Sequence, residues 1–169
     1  MRRQRSAGAA HIHEGKIVVT VTIAEEPWDS ADGVRLRRAM QAELAARYNM
    51  PDQETEPPNA ETITVFLIAR AGGGDATGCG ALRLLDDGRA EIKRMHVAPQ
   101  ARGTGVATRI LRALEDHARQ HGADTVVLAT GIKQPDAIRF YEREGYQPID
   151  GYGPYLGEPL AKCFTLQLG

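Results

Sequence analysis

Hydrophobic positions change period several times along the chain, and each change marks an element. Ile17-Val18-Val19-Thr20-Val21-Thr22-Ile23 is a β-branched run that predicts the first strand. Leu36, Met40, Leu44 and Tyr48 then recur at helical spacing, which predicts an amphipathic helix from about Asp32 to Tyr48. Pro51 to Ala60 carries three prolines and several acids and reads as a loop. Strands are expected at Thr62 to Arg70, Gly78 to Leu85 and Ala90 to Val97, with turns at Gly72-Gly73-Gly74 and Asp86-Asp87-Gly88. The helical period returns from about Gly105 to His121, where Val106, Ile110, Leu111, Leu114 and Ala118 form an apolar stripe and Gly122 suits the C′ position. Thr125 to Ala129 reads as a buried strand, and Pro135 fits the first position of a short helix that ends before Gly145. Cys163 to Leu168 alternates as a closing strand. Strand, helix, three strands, helix, strand, helix, strand is a mixed α/β plan.

Composition narrows this only a little. A chain of 169 residues, 42% hydrophobic and 25% charged, suits one domain with an adequate core. Residues 1–14 are small and polar and are expected to form a disordered leader, His11 and His13 included, so that residues 15–169 make a single domain. A net charge of −1 argues against nucleic acid as the main partner. Cys79 and Cys163 lie far apart without metal-ligand spacing, and buried, inert thiols are expected rather than a disulfide or a metal site. Ser6 to Lys16 contains no apolar stretch of signal-peptide type, and no run is long enough to span a bilayer. The expectation is a cytoplasmic protein with no membrane partner.

The chemistry concentrates in His96-Val97-Ala98-Pro99-Gln100-Ala101-Arg102-Gly103-Thr104-Gly105-Val106-Ala107-Thr108, which joins a strand to a helix through a glycine turn. Glycines let the backbone approach a ligand, and the first N–H groups of a helix have no partner within it, so such a turn binds phosphate. Lys93, Arg94, Arg102, Arg109, Arg112 and Arg119 surround it against only Glu115 and Asp116. A P-loop is excluded because no Gly-Lys-Ser/Thr triplet follows the glycines. A dinucleotide fingerprint is weak: Pro99 and three further residues separate the strand from Gly103, and Thr108 stands where the third glycine belongs.

Gln100-Ala101-Arg102-Gly103-Thr104-Gly105 resembles the Gln/Arg-x-x-Gly-x-Gly/Ala loop of the GNAT acetyltransferase superfamily. Upstream, Met95-His96-Val97-Ala98-Pro99 is similar to that family's strand ending. Downstream, Gln134-Pro135-Asp136-Ala137-Ile138-Arg139-Phe140-Tyr141 and Gly145-Tyr146 resemble its next helix, with Gln134 where the family usually has Asn. The resemblance covers roughly Thr62 to Leu168, and three motifs in order carry more weight than one glycine loop. It implies an α/β fold of the α+β type, a mixed and mostly antiparallel central sheet flanked by helices. It also implies acetyl-CoA as co-substrate. The donor would be held along Met95 and Val97, by Gln100, Arg102, Gly103, Thr104, Gly105, Val106, Ala107 and Thr108, and beside Gln134 and Tyr141.

Acetyl transfer to an amine needs a held thioester, a deprotonated amine and a group that receives the departing thiolate. The resemblance assigns Tyr141 to the coenzyme sulfur; the alternative is a tyrosine that only packs against the sheet. It also puts a glutamate where Glu91 stands, as general base if burial raises its pKa. The alternative is an ion pair with Lys93 or Arg94, and His96 is the other candidate base, although strand alternation puts it on the face opposite Glu91, Lys93 and Met95, where under helices it would be a satisfied core histidine. The acceptor side is expected from the first helix region with Trp28, from Arg94, and from Gly151-Tyr152-Gly153-Pro154-Tyr155-Leu156-Gly157. Arg94 would suit the carboxylate of an amino-acid-like or other small-molecule acceptor, or is equally an exposed strand cation, and a protein lysine or N-terminus stays open. The expected activity is N-acetylation of a primary amine by direct attack. A non-catalytic acyl-CoA-binding sensor is the second reading, and monomer and homodimer both remain open.

Overall fold

The computed structural model describes residues 10–13, 16–49, 54, 56–72 and 74–169. Its strands are β1 (Ala10–His13), β2 (Lys16–Val19), β3 (Val21–Glu25), β4 (Val65–Ala71), β5 (Asp75–Leu84), β6 (Ala90–Val97), β7 (Thr125–Gly131), β8 (Gln147–Ile149) and β9 (Ala161–Gln167). Its helices are α1 (Ala31–Tyr48), α2 (Val106–Gln120) and α3 (Pro135–Arg143). β1 and β2 pair as a two-stranded antiparallel sheet. The other seven strands form one sheet in the order β3-β4-β5-β6-β7-β9-β8, antiparallel at every pairing except β6 with β7.

Two sequence expectations change at the N-terminal end. Ala10–His13, assigned above to a disordered leader, is a strand in register with β2, its backbone groups satisfied by that partner; residues 1–9 lie outside the described residues. The run Ile17 to Ile23 is not one strand but two. Its first half serves β1 and its second half serves β4, with the Thr20 carbonyl between them accepting from the Gly72 amide at 2.7 Å.

Both faces of the large sheet are covered, which is why β4 and β7 read as continuous apolar runs. In β4, Val65, Leu67 and Ala69 pack with Ile110, Leu111 and Leu114 of α2, while Phe66 and Ile68 face Leu36 of α1. α2 can lie close because β5 carries glycine there: a Cβ on Gly80 would come within 2.8 Å of Ile110 and Met95. α1 starts at Ser30, whose hydroxyl accepts from the Gly33 amide at 3.1 Å as an N-cap. Of its expected apolar stripe only Leu36 is buried. The other three residues of that stripe, Met40, Leu44 and Tyr48, do not enter the core but line a cavity.

Candidate active site

The cavity exists because β6 and β7 pair over only two positions, Ala90 with Val126 and Glu91 with Val127, and then separate. Beyond Glu91 the β7-facing edge of β6 has no strand partner. The gap is a cavity of about 540 Å³ lined by β6 from Ile92 to Met95, β7 from Leu128 to Gly131, α1, Gln134 at the N-cap of α3, and Ala137 and Tyr141 along it. A neighbouring groove of about 370 Å³ shares Met40, Leu44, Met95, Gln134, Ala137 and Tyr141 and runs on to Arg102, Gly103, Gly105, Val106, Ala107 and Thr108. The expected thioester path and the glycine turn are therefore contiguous.

That turn has the required backbone. Gly103 and Gly105 sit at φ 75° and 84°, left-handed values that favour glycine, and Gly105 is the N-cap of α2. The first helical amide bonded to the chain is that of Arg109, to the Gly105 carbonyl at 3.1 Å. Among the described residues the six amides from Gly103 to Thr108 have no acceptor, so they form a concave set of donors at the positive end of α2. The flanking side chains are less free than charge alone suggests. Arg102 donates to the Val97 carbonyl at 3.0 Å and to Glu43 at 2.8 Å, and that hydrogen bond holds the Glu43 carboxyl below its usual range. Arg109 is spent on the Val21 carbonyl, Arg112 on Glu115 and Glu144, and Thr108 on Glu144. Gln100 and Thr104 line neither space.

Tyr141 borders both spaces. Pro135 opens α3 after Gln134, and nearly two turns later the helix brings Tyr141 over the separated strands, edge-on to Tyr146 and against Phe164. Burial pushes its pKa up, so the hydroxyl is protonated at neutral pH, and it makes no hydrogen bond to a described residue.

A single extra residue in β6 rearranges the other side of the cavity. Cys79 pairs with His96 and Ala81 with Lys93, so β6 spends one more residue than β5 between these rungs, and Arg94 takes φ 55° in this bulge. Every side chain after the bulge changes face. His96 therefore lies with Glu91 and Lys93 on the α1 side, opposite Met95, rather than opposite all three as alternation predicts. Burial holds the pKa of His96 down, and its buried Nε2 has no partner among the described residues. The bulge also turns Arg94 into the cavity.

There Arg94 meets a residue that the sequence reading left in a loop. Glu54 accepts from Arg94 Nη2 at 2.6 Å through one carboxylate oxygen and from Lys93 through the other. Lys93 also donates to the Tyr155 hydroxyl at 2.7 Å, which in turn donates to Glu54 at 3.3 Å. Burial opposes the charge on Glu54, but the Lys93 hydrogen bond and the two cations outweigh it and hold its carboxyl below the usual range.

Glu91 is not brought to the cavity. It is 1% exposed, accepts from Arg83 at 2.7 Å and from the Tyr152 hydroxyl at 2.5 Å, and so is ion-paired, though with Arg83 rather than with Lys93 or Arg94. Trp28 also stays away: it stacks under Arg37 at 3.6 Å and edge-on to Phe66, in the core beneath α1. The aromatic turn divides its work. Pro154 and Tyr155 line the cavity while Tyr152 is buried against Glu91. Cys79 and Cys163 are both buried and free, and burial pushes the Cys79 thiol up to about 12.

A mixed sheet with two strands splayed over a cavity, and a glycine turn of unbonded amides at its mouth, defines an acyltransferase fold. A solved chain from Klebsiella pneumoniae, described as "putative acyl-CoA N-acyltransferase", is 35% identical and superposes with a TM-score of 0.76 over 88% of this chain and 98% of that one. The Acetyltransferase (GNAT) family model matches residues 21–146, and the chain belongs to that family. An IAA acetyltransferase of Azospirillum brasilense is 39% identical over 97 residues, 57% of this chain and 63% of that protein. An aminoalkylphosphonate N-acetyltransferase of Salmonella typhimurium is 46% identical over 57 residues, 34% of this chain and 37% of that protein. The chain thus matches less than two thirds of the length of either curated relative.

Proposed function

We propose that the protein transfers an acetyl group from acetyl-CoA to the primary amine of a small molecule. The observation that carries this reading is the continuity of the unbonded amides at Gly103 to Thr108 with the gap between β6 and β7 and with the Tyr141 hydroxyl. In this reading the amides hold the pyrophosphate, with Arg102 beside them, and the open edge of β6 at Met95 and Val97 runs along the pantetheine arm. Gln134, at the N-cap of α3, borders the same path.

The amine nitrogen attacks the thioester carbonyl carbon; the new C–N bond forms as the C–S bond breaks and the electron pair leaves with sulfur. Tyr141 serves the departing sulfur. An ordinary phenol is already a weaker acid than a thiol, at about 10 against about 8.5, and burial weakens Tyr141 further. The phenol proton therefore stays on oxygen, and the hydroxyl stabilises the thiolate by a hydrogen bond rather than by giving its proton away. The proton lost by the amine passes to water. Glu91 has a positioning role in this scheme: with Arg83 and Tyr152 it anchors the segment from which Pro154 and Tyr155 reach the cavity.

Thermal denaturation with acetyl-CoA, and with NADH for comparison, followed by an assay of amine-dependent thiol release, tests the reading. Acetyl-CoA at a hundred times its Kd should add about 2.7 kcal/mol of stability and NADH none. Absence of stabilisation by acetyl-CoA defeats the proposal. Stabilisation with no thiol release from any amine leaves a protein that binds the donor without catalysis.

A further inference from the structure

We propose that the acceptor carries an anionic group, a carboxylate or phosphonate, bound by Arg94 and Lys93 at the α1 side of the cavity. This inference rests on the acetyl-transfer reading and names its substrate class. Lys93 and Arg94 are neighbours on a strand, and regular alternation would point them to opposite faces. The bulge at Arg94 cancels that alternation, and both line one cavity. Their side chains are 7% and 12% exposed. Buried cations are costly unless paired, and among the described residues these two share one carboxylate, that of Glu54. Glu91 is already taken by Arg83 and Tyr152, and Glu158, the other carboxylate that lines the cavity, is exposed and accepts from the Leu160 amide at 3.2 Å, with no ion pair to Lys93 or Arg94. The cluster therefore carries one positive charge more than it neutralises, inside a space large enough for a small molecule.

It also has donors to spare. Of the Arg94 guanidinium only Nη2 is engaged among the described residues, which leaves Nε and Nη1. The ammonium of Lys93 uses two of its three protons, on Glu54 and Tyr155. An anion arriving beside Glu54 meets these unspent donors and balances the charge. Glu54 itself shows that the pair holds a carboxylate in this place, one oxygen to each cation. With the anionic end so fixed, the amine of a short acceptor points along β6 toward Met95 and the region beneath Tyr141, where the donor's thioester would lie.

The test compares three amines of three carbons each in the thiol-release assay: propylamine, β-alanine and 3-aminopropylphosphonate. The two anionic amines should have KM values at least about tenfold below that of propylamine. Arg94→Gln should raise both toward the propylamine value without changing acetyl-CoA affinity, and Arg94→Lys should recover part of the difference. Propylamine used as well as β-alanine and 3-aminopropylphosphonate overturns the inference on the parent protein alone, whatever the variants do, and leaves the acetyl-transfer reading standing. Calorimetric titration of β-alanine and 3-aminopropylphosphonate into the CoA-bound protein separates the two readings in the other direction. Binding of either anion without turnover of any amine supports the anion site and defeats acetyl transfer, and neither binding nor turnover of either anion overturns the site.

Discussion

Tyr141 was legible as a residue because Gln134 to Tyr146 resembles the family's helix and the spacing from Ala137 puts both on one face of α3, and the structure brings it to the junction of cavity and groove. Its ring packs with Tyr146 and Phe164 while its hydroxyl makes no bond to a described residue, so ring and hydroxyl can be tested apart. Tyr141→Phe should lower kcat by about tenfold to a hundredfold, as loss of one donor to a developing charge does, with acetyl-CoA affinity and thermal midpoint near the parent's. Steady-state kinetics and a melting curve check this; a lowered midpoint with proportionally lowered activity would mean the residue only packs. Arg94 and Glu54 were harder to read. A strand arginine is ordinarily solvated and a glutamate in a proline-rich loop still more so, and only their mutual approach in the cavity makes them chemical.

At the scale of elements, α2 and its turn are the clearest part of the chain. Glycine at 103 and 105 is required by left-handed backbone, and the period-3.6 stripe behind it fills the core with Ile110, Leu111, Leu114 and Ala118. Gly105→Asp should therefore abolish acetyl-CoA binding by calorimetry while far-UV circular dichroism keeps its helical signal: the added Cβ meets no atom within 4 Å, the left-handed backbone strains it and lowers the thermal midpoint, and a carboxylate at the helix end repels a pyrophosphate. Retained affinity in the folded variant would remove this turn from the site. α1 was read less well. Its periodic Leu36, Met40, Leu44 and Tyr48 look alike in sequence, yet only the first meets the sheet, because β6 and β7 have parted beneath the others. β6 was placed with the right ends, but its bulge was invisible: a period-2 pattern carries no mark where one residue is inserted.

Over the whole molecule, Glu91 is where distant segments meet. It receives Arg83 from β5 and Tyr152 from the turn before β9, and Arg83 in turn donates to the Glu56 carbonyl at 3.2 Å. Glu91→Gln leaves a nearly buried Arg83 without its counter-charge and should cost about 3 kcal/mol of stability, read from denaturant unfolding. Under the positioning role, kcat/KM falls while the acidic limb of its pH profile remains; disappearance of that limb would return Glu91 to the role of general base. By itself the sequence determined the order of the main elements, a mixed α/β plan and the glycine turn, and its resemblance to the GNAT family implied the mostly antiparallel sheet and the role of the tyrosine on α3. These follow from local periodicity, from backbone angles that only glycine adopts readily, and from short motifs, all of which act over a few residues. Tertiary structure alone decided that β6 and β7 part after two rungs, that the bulge moves Arg94 and His96 to new faces, that three of the four residues of α1's apolar stripe line a cavity, and that Glu91 is paired away from it. Each of these depends on which strand lies beside which and in what register, and on charges that find partners tens of residues away, as Arg94 and Glu54 do across 40 residues of chain.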